Sequence, residues 1–212
     1  MRSTSRNGEG SAANDDRSEV IAQLAEVFRT YGYEGASLTR ITQGTGLGKG
    51  SLYHLFPGGK DEMAQAVLAH IDLWFELNVF APLRENAAEA DDDYPQRIAH
   101  MFDACGRYFL SGRKVCLVGA FALDSTRDRF ADAVRGYFVR WAEALHAALL
   151  RAGHPSHEAA ALTEDILGGI QGALVLARAV NQADIFTRTL ERLQERVKRA
   201  AAAHAGQKRN KT

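Results

Sequence analysis

An all-α fold follows from three features of the sequence. Apolar residues recur at helical spacing through most of its length, no stretch reads convincingly as a strand, and glycine or proline ends the helical patterns. The predicted architecture is an N-terminal three-helix helix-turn-helix head and a C-terminal helical body, about nine helices in all.

Taken in order, residues 1–16 are rich in Ser, Gly and Asn and offer nothing to bury, so they read as a disordered arm. A basic arm can reach into a minor groove, but Glu9, Asp15 and Asp16 dilute the charge, and a plain frayed terminus is the other reading. From Arg17, the residues Val20, Leu24, Val27, Phe28 and Tyr31 form one buried stripe, and Gly32 supplies the stop. Ser37 suits the N-cap of a short second helix, Leu38 to Gln43, with Leu38 and Ile41 inward. Gly44, Gly46 and Gly48 permit a tight turn with Leu47 beneath it. A third helix covers Lys49 to Phe56 and ends at Pro57-Gly58-Gly59. Lys60 opens a longer fourth helix, with Asp61 and Glu62 at its positive end and Met63, Val67, Ile71, Trp74 and Phe75 on its inner stripe.

Ala87 to Pro95 is acidic and reads as a solvated loop. Beyond it, Ile98, Met101, Phe102, Cys105, Tyr108 and Phe109 mark one helix, and the apolar run Val115 to Leu123 a short buried one. Phe130, Val134, Tyr137, Phe138, Trp141, Leu145 and Leu149 mark a long helix stopped at Gly153-His154-Pro155. Ser156 suits the cap of the next, which runs to about Val180, and the last runs from about Ala183 to Ala203. The expected organisation is therefore an arm (1–16), a helix-turn-helix domain (17–62), a helical body (63–205) and a basic tail (206–212).

The 212 residues carry a formal net charge of zero, so any affinity for nucleic acid must come from placed cations, not overall basicity. Two cysteines, Cys105 and Cys116, make neither a disulfide framework nor a zinc site. The polar start carries no secretory signal, and the apolar stretch from Ile166 to Ala177 reads as too short to span a bilayer. A cytoplasmic protein without a membrane partner is the expectation. His146, His154 and His157 lack a Cys or carboxylate at ligand spacing, so no metal is expected. No catalytic constellation or phosphate loop is present in the sequence, so neither an enzyme nor a cofactor is expected.

Two short amphipathic helices around a glycine turn are the sequence form of a helix-turn-helix, whose second helix can enter the major groove of duplex DNA. In the third helix Leu52 and Phe56 lie four apart and share the inner face. That turns Lys49, Ser51, Tyr53 and His54 toward solvent or a groove.

The register Ser37-Leu38-Thr39-x-Ile41, then Gly46-Leu47-Gly48-Lys49-Gly50-Ser51-Leu52-Tyr53-x-x-Phe56, then Lys60, resembles the TetR family of transcriptional regulators. The join Phe56-Pro57-Gly58-Gly59-Lys60 and the Cys116-Leu117-Val118 run resemble its LmrA/YxaF-like branch. The resemblance implies phosphate contacts from Tyr53 and Lys60, a backbone contact from Ser37 or Thr39, and base-edge contacts from Arg40, Lys49 and Ser51, with Gly50 allowing close approach. Three positions depart from the family pattern. Leu55 stands where His or Tyr is common, which leaves His54 to replace it; Gly48 stands where Ser or Thr often caps; and the Pro57-Gly58-Gly59 join is one residue longer than the family's commonest join.

The resemblance also implies a small-molecule pocket in the body. The ligand-side candidates are Trp74, Phe102, Phe109, Phe121 and Trp141, with Gln171 as a polar anchor, each having ordinary core as its other reading. One recognition helix reads few base pairs, so a homodimer on a palindromic operator is expected. Its interface candidates are Gly168, Gly169, Gly172, Phe186, Leu190 and Leu193 in the last two helices. The glycine cluster suits a partner helix, a ligand or tight packing within one chain. The reading is a ligand-responsive regulator, a repressor in preference to an activator. The alternative is a helical small-molecule-binding protein whose head docks another protein.

Overall fold

A computed structural model describes residues 9–84, 93–123 and 127–209. Among the described residues there are nine helices: α1 (Glu9–Gly35), α2 (Leu38–Thr45), α3 (Lys49–Leu55), α4 (Gly59–Arg84), α5 (Tyr94–Tyr108), α6 (Leu117–Leu123), α7 (Ala131–Arg151), α8 (Ser156–Ala179) and α9 (Asp184–Arg209). Short 3₁₀ turns occupy Leu110–Gly112 and Arg127–Phe130. The fold class is the one the periodicity predicts.

Several boundaries differ from the expected ones. The first helix begins at Glu9, so residues 9–16 of the expected arm are helical; Ala12 and Ala13 are strong helix formers. Residues 1–8 lie outside the described residues. The last helix runs to Arg209, through Ala201-Ala202-Ala203 and into the expected tail, whose final residues 210–212 lie outside the description. Most of the acidic loop also lies outside it. Its described end, Asp93, caps α5 by accepting a hydrogen bond from the Gln96 amide at 3.0 Å. Ser156 is not a cap: Pro155 holds the N-cap position and Ser156 is the first helical residue.

The chain divides into two compact units. The first comprises the described residues up to Ile71 together with Ala120–Val134, and the second Asp72–Gly119 with the residues from Arg135 onward. The division falls inside α4 at Ile71, nine residues beyond the expected boundary at 62, and it gives a late segment of the sequence to the head.

The first unit is built on Leu24, Phe28, Ile41, Leu52, Phe56, Met63 and Val67, all essentially without exposure. Gly32 breaks α1 with φ 67 and ψ 175, a conformation glycine adopts without strain. The break reverses the expected roles of two tyrosines. Tyr31, expected in the stripe, is 45% exposed, and Tyr33 beyond the break is buried. Its ring packs against Phe28, Phe121 and Phe130. Gly44 permits the close approach of α2 to α1: a Cβ there would stand 2.3 Å from Val27 Cγ2.

The second unit centres on Phe75. Its ring lies 4.7–6.0 Å from those of Trp74, Phe80, Tyr108, Phe109, Tyr137 and Trp141. A π turn over Glu76–Phe80, in which the Ala81 amide donates to the Glu76 carbonyl, brings Phe75, Val79 and Phe80 all into this core. A regular α-helix would not align residues five apart. Helices α8 and α9 form an antiparallel pair, since Asp165 meets Arg196 at 2.6 Å and Gly169 faces Leu193.

Helices Gly59–Arg84 and Ser156–Ala179 are long and apolar enough to cross a membrane by length and composition. This corrects the reading that the apolar stretch around Ile166 is too short. In the fold, Leu162, Ile166, Ile170, Ala173 and Ala177 of α8 are buried at helical spacing, as in a core helix.

Candidate nucleic-acid interface

The helix-turn-helix is set by local chemistry. Ser37 has extended backbone and its Oγ accepts from the Arg40 amide at 3.4 Å, an N-cap for α2. Gly46 ends α2 in the left-handed region, φ 67 and ψ 1. The buried Thr45 hydroxyl donates to the Ile41 carbonyl at 2.8 Å and accepts from the Leu47 amide at 3.4 Å, so the turn is tied back to α2. Gly48 is the N-cap of α3 and has no side chain to offer it. The Phe56 amide closes α3 on the Leu52 carbonyl at 2.8 Å.

With Leu52 and Phe56 buried, the other side of α3 is open. Lys49, Gly50, Ser51, Tyr53 and His54 are exposed, and a Cβ on Gly50 would meet nothing within 4 Å. On α2, Ser37, Thr39 and Arg40 are exposed as well. Eight of the nine candidate DNA-contacting residues thus stand at the surface of one unit. Leu55, at the position where a polar residue was missing, is half-buried beside an open groove that His54, Ser51, Gln23 and Glu19 also line.

Lys60 is the exception. Its ammonium donates to the Tyr33 carbonyl at 3.1 Å, stands 4.2 Å from the centre of the Tyr33 ring and lies 3.9 Å from Glu34. It is first an internal tie between α4 and the end of α1. The Gly58 amide beside it donates to Glu62 at 2.7 Å, so the start of α4 is partly satisfied from within.

Behind this surface lies a polar network that the sequence does not announce. The Tyr33 hydroxyl donates to Asp61, and Arg129 donates to both, at 2.8 Å to the hydroxyl and 2.9 Å to the carboxylate. Burial and the Asp61 carboxylate push the Tyr33 phenol up to about 12. The bond from Tyr33, then Arg129, holds Asp61 below the ordinary carboxylate value.

The body candidates fall in different places. Phe121 belongs to the first unit, where its ring lies 6.2 Å from Phe28 and 5.1 Å from Phe130. That corrects its assignment to a pocket in the body. Trp74, Phe109 and Trp141 join the cluster around Phe75, with Trp74 half-buried and its ring 4.5 Å from that of Tyr108 at an inclination of 42°. Phe102 is buried on α5, and the Trp141 indole donates to Met101 Sδ at 3.5 Å. Gln171 is half-buried, and its Nε2 has no hydrogen-bond partner among the described residues. Its Oε1 lies 2.6 Å from where a Cβ on Gly119 would stand. Tyr137, which was not among the candidates, is fully enclosed with its hydroxyl likewise unpartnered. Burial, then the thiols of Cys116 and Cys105, push this phenol well above its usual value.

The interface candidates also divide. Phe186 and Leu190 are buried within their own chain, and Gly169 packs on Leu193, a Cβ there reaching Leu193 Cδ1 at 2.9 Å. Gly169 and Leu193 thus pack α8 against α9, whereas the Phe186 ring lies 5.8 Å from that of Phe109 and Leu190 faces Gly106 of α5; the burial of Phe186 and Leu190 within one chain corrects their reading as a surface between subunits. Gly168 and Gly172 are exposed with open space around them, on the same helix as exposed Val175 and Leu176.

Comparison with known proteins places this arrangement. Residues 20–67 match the family described as "Bacterial regulatory proteins, tetR family". Residues 83–192, more than half of the chain, match "Transcriptional regulator LmrA/YxaF-like, C-terminal domain". The chain belongs to the TetR family. This TetR-family chain is 30% identical over 91 residues to "Uncharacterized HTH-type transcriptional regulator YxaF" of Bacillus subtilis (strain 168), across 42% of its own length and 48% of that protein's. The match thus spans less than half of that relative. Its fold is that of a TetR transcriptional regulator from Legionella pneumophila, with a TM-score of 0.71 at 19% identity over 92% of this chain and 98% of that one. It is also that of a cysteine mutant of the TetR family transcriptional regulator CifR, whose structure is a complex with 26bp double-strand operator DNA; there the TM-score is 0.61 at 22% identity over 96% and 98%. The family is one of transcriptional regulators, not enzymes.

Proposed function

We propose that this TetR-family regulator binds an inverted-repeat operator in double-stranded DNA as a homodimer and is released by a small, largely apolar effector, acting as a repressor in the cytoplasm. The observation that carries the reading is the shared exposure of Ser37, Thr39 and Arg40 on α2 with Lys49, Ser51, Tyr53 and His54 on α3, over a core that fixes both helices. Hydroxyls and cations on a rigid helix pair are the groups that position a protein on phosphates and read base edges. The CifR mutant, of the same fold, is complexed with 26bp double-strand operator DNA.

Dimerisation is assigned to the outer face of α8, where Gly168, Gly172, Val175 and Leu176 offer close approach and apolar area. The effector is assigned to the cluster around Phe75, with Gln171 and Tyr137 as polar anchors, since two buried donors without partners favour a ligand carrying hydrogen-bond acceptors. Release then requires that the effector prefer the form of the protein that binds DNA less well.

The test is selection of bound duplexes from a random library. An enriched inverted repeat is the expected result. Recovery of unselected sequence at low salt sinks the operator reading and returns the head to a protein-docking role.

A further inference from the structure

Tyr31 is a large aromatic residue left 45% exposed because the chain breaks at Gly32 and Tyr33 takes the core position. It is not idle. The Arg40 guanidinium stands over its ring, 4.3 Å from the centroid. The same guanidinium donates through Nη1 to the Gly35 carbonyl at 2.7 Å, and the Arg40 amide donates to the Ser37 cap. An exposed arginine ordinarily samples many rotamers, and ordering it on binding costs affinity. Here two contacts, the Tyr31 ring and the Gly35 carbonyl, fix it beforehand, and a guanidinium with five donors keeps most of its N–H groups for another acceptor.

We propose that Tyr31 is a positioning residue for DNA recognition: its ring and the Gly35 carbonyl hold the Arg40 guanidinium in the geometry in which it reads the operator. The proposal rests on the reading that the α2–α3 surface binds DNA and adds what sets its discrimination. Stacking on an aromatic face leaves the guanidinium edge, the part that forms paired hydrogen bonds with guanine, directed away from the ring.

The experiment measures binding of the full-length protein to the duplex enriched by the wild-type chain and to a scrambled duplex of equal length. Tyr31→Ala, Tyr31→Phe, Arg40→Ala and the double variant Tyr31→Ala/Arg40→Ala are compared, with thermal unfolding as the folding control. Tyr31→Ala should weaken the enriched duplex about two- to fivefold, the worth of an exposed cation–π contact, and leave the scrambled one nearly unchanged. Tyr31→Phe should bind as wild type. In the Arg40→Ala background the Tyr31 substitution should have no further effect. Additive losses in the double variant overturn the proposal, as does equal weakening of both duplexes. Arg40→Ala binding like wild type overturns it differently, by removing Arg40 from the interface while the enriched repeat still reports DNA binding by the head. If no duplex is enriched at all, the underlying DNA reading fails and the proposal with it.

Discussion

Arg129 donates to the Asp61 carboxylate at 2.9 Å across 68 residues of sequence. The pair joins the 3₁₀ turn before α7 to the first turn of α4, and the Tyr33 hydroxyl bonds to both. A segment far along the chain is thereby part of the head.

The first prediction concerns Tyr33. Its folded phenol is raised to about 12 from an ordinary value of 10. The stability it contributes is therefore fully present below pH 10 and is lost as the pH rises from there through about 12, where the unfolded chain has released the proton and the folded one still holds it. Tyr33→Phe should cost about 1.5–3 kcal/mol at neutral pH through the lost bonds to charged partners. It should also remove this alkaline loss. Tyrosinate absorbance in the folded protein checks it: if no tyrosine that Tyr33→Phe removes titrates late, the network is not formed.

Asp61 gives the opposite limb. Its folded value is lowered, by the Tyr33 bond first and then by Arg129, so its stabilising contribution is present above the unfolded carboxylate value and lost as the pH falls through the lower folded one. Asp61→Asn should flatten that acid limb of a stability–pH curve. An acid limb equally steep in both proteins places the titrating group elsewhere.

How much of this was legible beforehand depends on range. The helix-turn-helix was readable because each determinant is local: the Ser37 cap, the left-handed Gly46, and Leu52 with Phe56 four apart. Tyr31 was misplaced because helical periodicity continues smoothly up to a glycine and gives no sign that the chain will turn there and bury Tyr33 instead. Arg129 and Phe121 were not assignable to the head because their partners are distant in sequence. The buried Phe186 and Leu190 looked like an interface because an apolar stripe has the same pattern whether its partner is the same chain or another.

Gly44 predicts a steric test of the head. A Cβ there would stand 2.3 Å from Val27 Cγ2, so α1 and α2 must part to admit it. Gly44→Ala should destabilise the protein by about 1–3 kcal/mol, against the small gain that Ala brings to a helix without such a neighbour. Val27→Ala in the same chain should restore part of the loss. Thermal unfolding of the three variants decides it, and a Gly44→Ala protein as stable as wild type refutes the close approach.

Tyr137 separates stability from effector response. Its enclosed hydroxyl has no partner among the described residues. Tyr137→Phe keeps the ring and removes the unpaired group, so it should hold or raise stability, by up to about 1 kcal/mol. If the hydroxyl anchors the effector, the same variant should need more effector to leave its operator. Lower stability with an unchanged response would show that the hydroxyl serves the fold and not the ligand.

The outer face of α8 makes the final prediction. A Cβ on Gly172 meets nothing within 4 Å in one chain, and Leu176 is 55% exposed. Judged by one chain alone, Gly172→Ala should stabilise α8 by about 0.5–1 kcal/mol and Leu176→Glu should be nearly neutral. If a second copy packs here, the signs change: a methyl blocks close approach of the partner helix, and a buried carboxylate at the two-fold contact opposes its own copy. Light scattering across a dilution series should then show the dimer weakening in both variants, while far-UV circular dichroism stays that of the wild type. Operator affinity should fall with the dimer, because two recognition helices must be joined for either half-site to assist the other. A Leu176→Glu protein that remains dimeric at every dilution moves the interface to another face.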